Sequence, residues 1–222
     1  MERLGRVIRP QSPMPFRIII ITQPFFFHNE TALLTEMAGT TRQTAVNSGN
    51  DCEVIFHIRK PDANIEEMRR LIVSLPTESR NRIVVHSHYS LVPELGLRGA
   101  HLGKGRMLPP AFPNGIPTSY SCHSLEEVAV QKSQRAYVFL SPVFSSISKK
   151  GYESAFSKEV LDNAFRRGII DKKVVALGGI TPQRIPAVKE MGFGGAALLG
   201  SVWQSANPVA QLTTVIQAAA GG

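Results

Sequence analysis

The chain is 222 residues long with a formal charge of +8, and its 43% hydrophobic and 19% charged composition is that of a globular protein. This length supports one substantial core in one domain, and no apolar run is long enough to span a membrane. The Lys and Arg residues are scattered, without a long basic run or interleaved aromatics, which argues against nucleic acid and for an acidic small-molecule ligand. The first sixteen residues, MERLGRVIRPQSPMPF, are basic and proline-bearing but lack the apolar stretch of a secretion signal, so they read as a disordered lead-in to a domain spanning 17–222. Cys52 and Cys122 lie in or beside apolar, strand-like segments, which suits reduced, buried thiols and a cytoplasmic location.

In chain order, residues 17–24 (RIIIITQP) form the first predicted strand, closed by Pro24. A loop carrying Phe25, Phe26 and Phe27 leads to a helix with Asn29 as candidate cap. Residues 53–59 (EVIFHIR) are the second strand, ended by Lys60-Pro61-Asp62 before a helix around 65–75. The third strand occupies 82–88 (RIVVHSH), with a short helix at 89–97, and the fourth, 98–102, runs into Gly103-Lys104-Gly105-Arg106. After a proline-rich link come a strand at 118–122, a helix at 125–131, a strand from Ala136 and a helix at 157–167. A strand at 174–177, a helix at 182–191, a strand at 195–199 and a helix at 206–219 complete the chain. Eight strands alternating with about eight helices predict the α/β class and a single (β/α)8 TIM barrel, whose site lies at the carboxyl ends of the strands.

Two loops at such ends have the chemistry of anion sites. The sixth strand delivers SSISKKG, in which Ser145, Ser146 and Ser148 bring hydroxyls and Lys149 and Lys150 bring charge. The seventh strand ends in Gly178-Gly179, a tight turn before Thr181-Pro182, which reads as an N-cap followed by proline at the first helical position. Backbone N–H groups at such a helix start suit a phosphate, so the two loops are expected to share one mouth.

The motifs HIRK, GAHLGKG, SCHSLEE, YVFLSPVFSSISKKG, VVALGGITP and GGAALLGSV occur in that order. With them the chain resembles the thiamine phosphate synthase and thiazole tautomerase family over nearly all of residues 17–205. The resemblance implies an enzyme of thiamine biosynthesis that binds a thiazole phosphate, and by the same likeness a homodimer. Synthases of the family join that compound to a pyrimidine methyl diphosphate and release diphosphate; tautomerases move protons on a thiazole carboxylate phosphate. Carried over by the resemblance, Arg59 and Lys149 face the diphosphate and Ser121 contacts the same oxygens. Ser146 and Ser148 hold the thiazole phosphate side, and Gly178, Gly179, Leu199 and Gly200 form the backbone stretches that grip the phosphate.

The chain departs from the synthase pattern where that pattern holds Mg²⁺. The family's Asn-Asp pair after strand three and its further Asp after strand four correspond here to His86, Ser87 and Arg106. Mg²⁺ takes oxygen ligands, and imidazole and guanidinium do not replace carboxylates. No cofactor and no metal ligand are therefore expected, Mg²⁺ being implied only for a synthase. Arg59 and Lys60 are adjacent, so along a strand they point to opposite faces.

Proton transfer needs no metal, which makes tautomerase chemistry the first expectation, with His123 as acid–base and Ser124 and Glu127 forming an S-x-x-E capping box behind it. Thiamine phosphate synthesis is the alternative. His86 and His88, two apart on a strand, point the same way, with His57, His101, Lys104 and Arg106 as further pocket residues. A Zn²⁺-type hydrolase built on these imidazoles is another reading, opposed by the lack of Asp or Glu at the neighbouring strand ends. A non-catalytic phosphate-ligand sensor is the last.

Overall fold

The computed structural model describes residues 14–47, 52–145 and 156–221, which form a closed, eight-stranded parallel barrel with strands in sequence order. The strands are β1 (Phe16–Ile21), β2 (Cys52–Ile58), β3 (Ile83–Val85), β4 (Gly99–Leu102), β5 (Thr118–Cys122), β6 (Tyr137–Leu140), β7 (Val174–Leu177) and β8 (Gly195–Leu198). Pairing of β8 with β1 closes the ring. The helices are α1 (Glu30–Asn47), α2 (Ile65–Ser74), α3 (Leu91–Leu95), α4 (Leu125–Gln131), α5 (Lys158–Arg166), α6 (Ile185–Glu190), α7 (Gly200–Trp203) and α8 (Pro208–Ala220). The expected TIM barrel is thus observed, and Cys52 and Cys122 are buried and outside any disulfide, as anticipated.

The isoleucine run of β1 shows why a barrel forms. All six residues of β1 are buried, because a strand between helices outside and side chains inside has no wet face. Ile18 and Ile20 join the larger core under the helices, whereas Ile19 and Ile21 point into the barrel with Ile55, Val84, Tyr137, Phe139, Val175 and Ala197. In β2 the same alternation sends Val54, Phe56 and Ile58 outward and His57 inward with Ile55. The helices bury one stripe each: α2, capped by Asn64 in a complete capping box with Glu67, covers the sheet with Met68, Leu71 and Ile72.

Several boundaries differ from the sequence reading for local reasons. β1 begins at Phe16, one residue inside the expected lead-in, while residues 1–13 lie outside the described part. β3 ends at Val85, because the chain turns at His88, which has φ 52. The helix expected over 182–191 divides into a 3-10 turn, Pro182–Arg184, and α6. Pro186 has no N–H to donate to the Pro182 carbonyl, which instead accepts from Ile185, and the Thr181 side chain makes no cap bond. Asn29 precedes α1 with φ 65 and accepts from Leu33 N–H through its carbonyl. At α4, Ser124 accepts from Glu127 N–H, but the Glu127 carboxylate reaches past the cap to His123 N–H at 2.7 Å, so the expected box closes one residue early.

Candidate active site

A cavity of about 410 Å³ opens at the carboxyl ends of the strands. Its floor and walls come from Ile21 at the end of β1, Arg59, Lys60 and Pro61 after β2, His86 and Ser87 after β3, and His101 with Gly103 and Arg106 at β4. Ser121, Phe139, Leu177 and Leu199 complete it from β5 to β8. Two arginines line this cavity and no carboxylate does so among the described residues, so its field favours an anion.

β2 ends at Ile58, so strand alternation no longer separates Arg59 and Lys60: both line the cavity, but they differ in burial. Arg59 is exposed at the cavity, its N–H donating to Thr22 Oγ1 at 2.9 Å. Lys60 is 1% exposed and its ammonium is committed: it donates to Glu30 Oε1 at 2.5 Å and to the carbonyls of Gln23 and Phe25 at 2.9 and 2.7 Å. Burial outweighs the pair's attraction, lowering Lys60 and raising Glu30 from their ordinary values. Lys60 therefore ties down the aromatic loop, with Phe26 lying 4.9 Å from its Nζ and Phe27 meeting Trp203 edge-on.

Below the mouth lies a polar network. His57 Nδ1 meets His86 Nε2 at 2.9 Å, and His57 Nε2 meets Tyr137 OH at 2.6 Å. His101 bonds Ser119 Oγ through Nδ1 and Ser121 Oγ through Nε2, both at 2.8 Å. Burial, then the neighbouring imidazoles and arginines, holds His57 and His86 well below the usual histidine range. Burial with Arg106 and Arg59 nearby pushes His101 down to about 3. All three are neutral near pH 7. Arg106 donates to the His86 carbonyl, which places its guanidinium beside this network.

The other expected residues divide into those at the mouth and those elsewhere. Ser121 and Leu199 line the cavity, and Gly200 begins α7 just beyond it. Gly178 and Gly179 have φ 99 and 62, a left-handed pair that glycine alone adopts freely. A Cβ on Gly179 would lie 2.5 Å from the Ser145 carbonyl, and Phe144 N–H donates to the Gly178 carbonyl at 3.2 Å. The glycine turn and the start of the loop after β6 therefore adjoin on one rim. Ser146, Ser148 and Lys149 lie outside the described residues.

Two pocket expectations, His88 and Lys104, are corrected. His88 does not join His86, because the strand has ended: its Nε2 donates to the Ala63 carbonyl at 2.7 Å. Lys104 is exposed and does not line the cavity. His123 stands exposed on the rim, with Nδ1 3.3 Å from both oxygens of Ser141, and the imidazoles among the described lining residues are His86 and His101. Ser87 was singled out only as the place of a lost carboxylate, yet its Oγ is buried beside the cavity without a hydrogen-bond partner. Ser119 and Tyr137 were missed, although strand alternation from Ser121 and Phe139 points to both. Arg184, which donates to the Gly179 carbonyl at 2.6 Å, carried no such signal.

Comparison with known proteins places this geometry. The family model described as thiamine monophosphate synthase matches residues 36–202. The chain belongs to that family. The thiamine-phosphate synthase of Photorhabdus laumondii is 27% identical over 71% of this chain and 76% of its own, and that of Bacteroides fragilis is 27% identical over 72% and 84%. A crystal structure titled thiamine phosphate pyrophosphorylase from Bacteroides thetaiotaomicron is 32% identical, with TM-score 0.76 over 91% of this chain and 97% of that one. One from Pyrococcus furiosus, at 19% identity and TM-score 0.70, shows the shared fold alone.

As a member of the thiamine monophosphate synthase family the chain is an enzyme of thiamine biosynthesis. Mg²⁺, the metal implied by the synthase likeness, does not fit the cavity as built. The lining positions offer imidazole, guanidinium and hydroxyl groups, and the nearby Glu30 carboxylate is taken by Lys60. Among the described residues no helix is long and apolar enough to cross a membrane.

Proposed function

We propose that the enzyme is a thiamine phosphate synthase whose cavity neutralises the leaving diphosphate with arginines. The observation that carries this reading is a cavity lined, among the described residues, by two arginines and no carboxylate, in a chain whose relatives are named thiamine-phosphate synthase. In the reaction the bond between the pyrimidine methylene carbon and the diphosphate oxygen breaks, and diphosphate departs with the electron pair. The thiazole ring supplies the pair for the new bond. Charge builds on the departing oxygens, and fixed cations aimed there stabilise the transition state more than the ground state. We assign that role to Arg59 and Arg106, joined by Lys149, with Ser121 and Ser87 as hydroxyl donors. Gly178, Gly179, Leu199 and Gly200 would grip the thiazole phosphate with backbone N–H groups, helped by Ser146 and Ser148.

A second reading, tautomerisation of a thiazole carboxylate phosphate, is favoured by one observation: the neutral imidazoles of His86 and His101 face the cavity. His86, with His123 at the rim, would then exchange protons with the ring. The test supplies purified protein with thiazole phosphate and pyrimidine diphosphate, with and without EDTA, and in parallel with thiazole carboxylate phosphate. Diphosphate release that persists in EDTA and falls about 10- to 100-fold in Arg106→Gln, the worth of a charge-assisted hydrogen bond, supports synthesis. Aromatisation without diphosphate release supports the second reading, and neither activity would sink both.

A further inference from the structure

His57, His86 and His101 each present a ring nitrogen within 4.8 Å of the other two, on β2, after β3 and on β4. For imidazoles around one tetrahedral ion, Zn–N bonds of about 2.0–2.1 Å imply ring centroids roughly 5 Å apart. The His57–His86 and His57–His101 centroids are 5.1 and 5.3 Å apart and edge-on, and the His86–His101 pair, stacked at 4.3 Å with 30° between the ring planes, converges on one ion once one ring turns about its side-chain bonds. The rings also have oriented partners: Tyr137 OH holds His57 Nε2 and leaves Nδ1 facing His86, and Ser119 and Ser121 hold His101. A serine hydroxyl rotates, so releasing one His101 nitrogen requires no backbone movement.

We propose that these three histidines form a binding site for a Zn²⁺-class transition-metal ion at the cavity floor, with the fourth coordination position open to an anionic oxygen. Three imidazoles suit Zn²⁺ or Co²⁺ and reject Mg²⁺. The surroundings also set a condition. Arg59 and Arg106 line the same cavity and no described lining residue is acidic, so a bare dication enters against like charge. A phosphate or diphosphate oxygen in the fourth position removes that penalty, so metal and anion are expected to bind cooperatively, each tightening the other by the same factor. This inference goes beyond the proposed reaction, and its readout is binding, so it stands or falls independently of either activity.

The experiment uses the full chain stripped with EDTA and titrated with Co²⁺, followed by visible absorption, with and without inorganic diphosphate below the concentration at which it sequesters Co²⁺. One Co²⁺ per chain with tetrahedral-type absorption is expected, bound about tenfold or more tightly when diphosphate is present. Zn²⁺ displaces it and Mg²⁺ does not. His86→Asn and His101→Asn abolish the signal while retaining the wild-type circular dichroism spectrum, and His28→Asn, on the exposed loop, leaves it unchanged. Lack of a one-to-one signal in the wild-type protein, or a signal that survives both His86→Asn and His101→Asn, overturns the proposal.

Discussion

The barrel interior has two unlike halves. Around β7, β8 and β1 the inward side chains are Val175, Leu177, Ala197, Leu199, Ile19 and Ile21, an ordinary apolar filling. From β2 to β6 they include His57, His101, Ser119, Ser121 and Tyr137, joined by His86 beyond the end of β3. The apolar half is held by contact alone and tolerates small changes of shape. Every polar atom of the other half costs free energy unless a partner meets it, so that half specifies geometry. The contrast teaches where chemistry is located: the imidazoles, both cavity arginines and the unpartnered Ser87 hydroxyl all sit on the β2–β5 side.

The largest expected effect is acid lability of the polar half. Above the ordinary histidine value of 6.5 the three imidazoles are neutral in both folded and unfolded chains and impose no penalty. Below it the unfolded chain takes up protons that the folded one refuses, so each histidine removes about 1.4 kcal/mol of stability per pH unit. For His101 that loss continues until the pH reaches about 3. Metal-free protein followed by circular dichroism should unfold in mild acid, and His101→Asn should make the dependence on pH shallower. Stability that stays level from about pH 7 to pH 4 would break the contrast.

Next in size is Lys60→Met, at the rim where the halves meet between β1 and β2. It leaves Glu30, 3% exposed, without its cation, and a loss of about 3–5 kcal/mol in urea denaturation is expected. Adding Glu30→Leu should recover much of it. The smallest effects form a matched pair. Tyr137→Phe keeps the shape but orphans His57 Nε2, for about 1–3 kcal/mol. Ile19→Val on the apolar side should cost about 0.5–1.5 kcal/mol. If Tyr137→Phe proves the cheaper of the two, the polar half is not the more exacting one.

Much of this was legible in the chain. The run RIIIITQP, the alternation EVIFHIR and the Gly178-Gly179 turn mark strands and their ends through local chemistry, so eight strands and a carboxyl-end mouth follow from them. The histidines were visible as residue types, and their grouping was legible in part: His57 and His101 do meet His86, whereas His88 does not. Counting by two from His86 selects His88, which fails because strand alternation stops at Val85. His123 drew attention through its place before a helix, and it stands exposed on the rim, while the imidazoles among the described lining residues are His86 and His101. Lys60 illustrates the same limit, since nothing adjacent to it in the chain shows that Glu30 neutralises it from thirty residues away.

The sequence by itself determined the fold class, the number of strands, the end of the barrel that carries the site and the lack of acidic residues where the family's metal is expected. Those features rest on period, turn residues and residue type, which are local. Only the tertiary structure decided that His57, His86 and His101 converge while His88 and His123 do not, and that Lys60 is spent on Glu30 while Arg59 stays at the mouth. Convergence depends on which strands become neighbours when the barrel closes and on where each strand stops, and both are fixed by the packing of the whole ring.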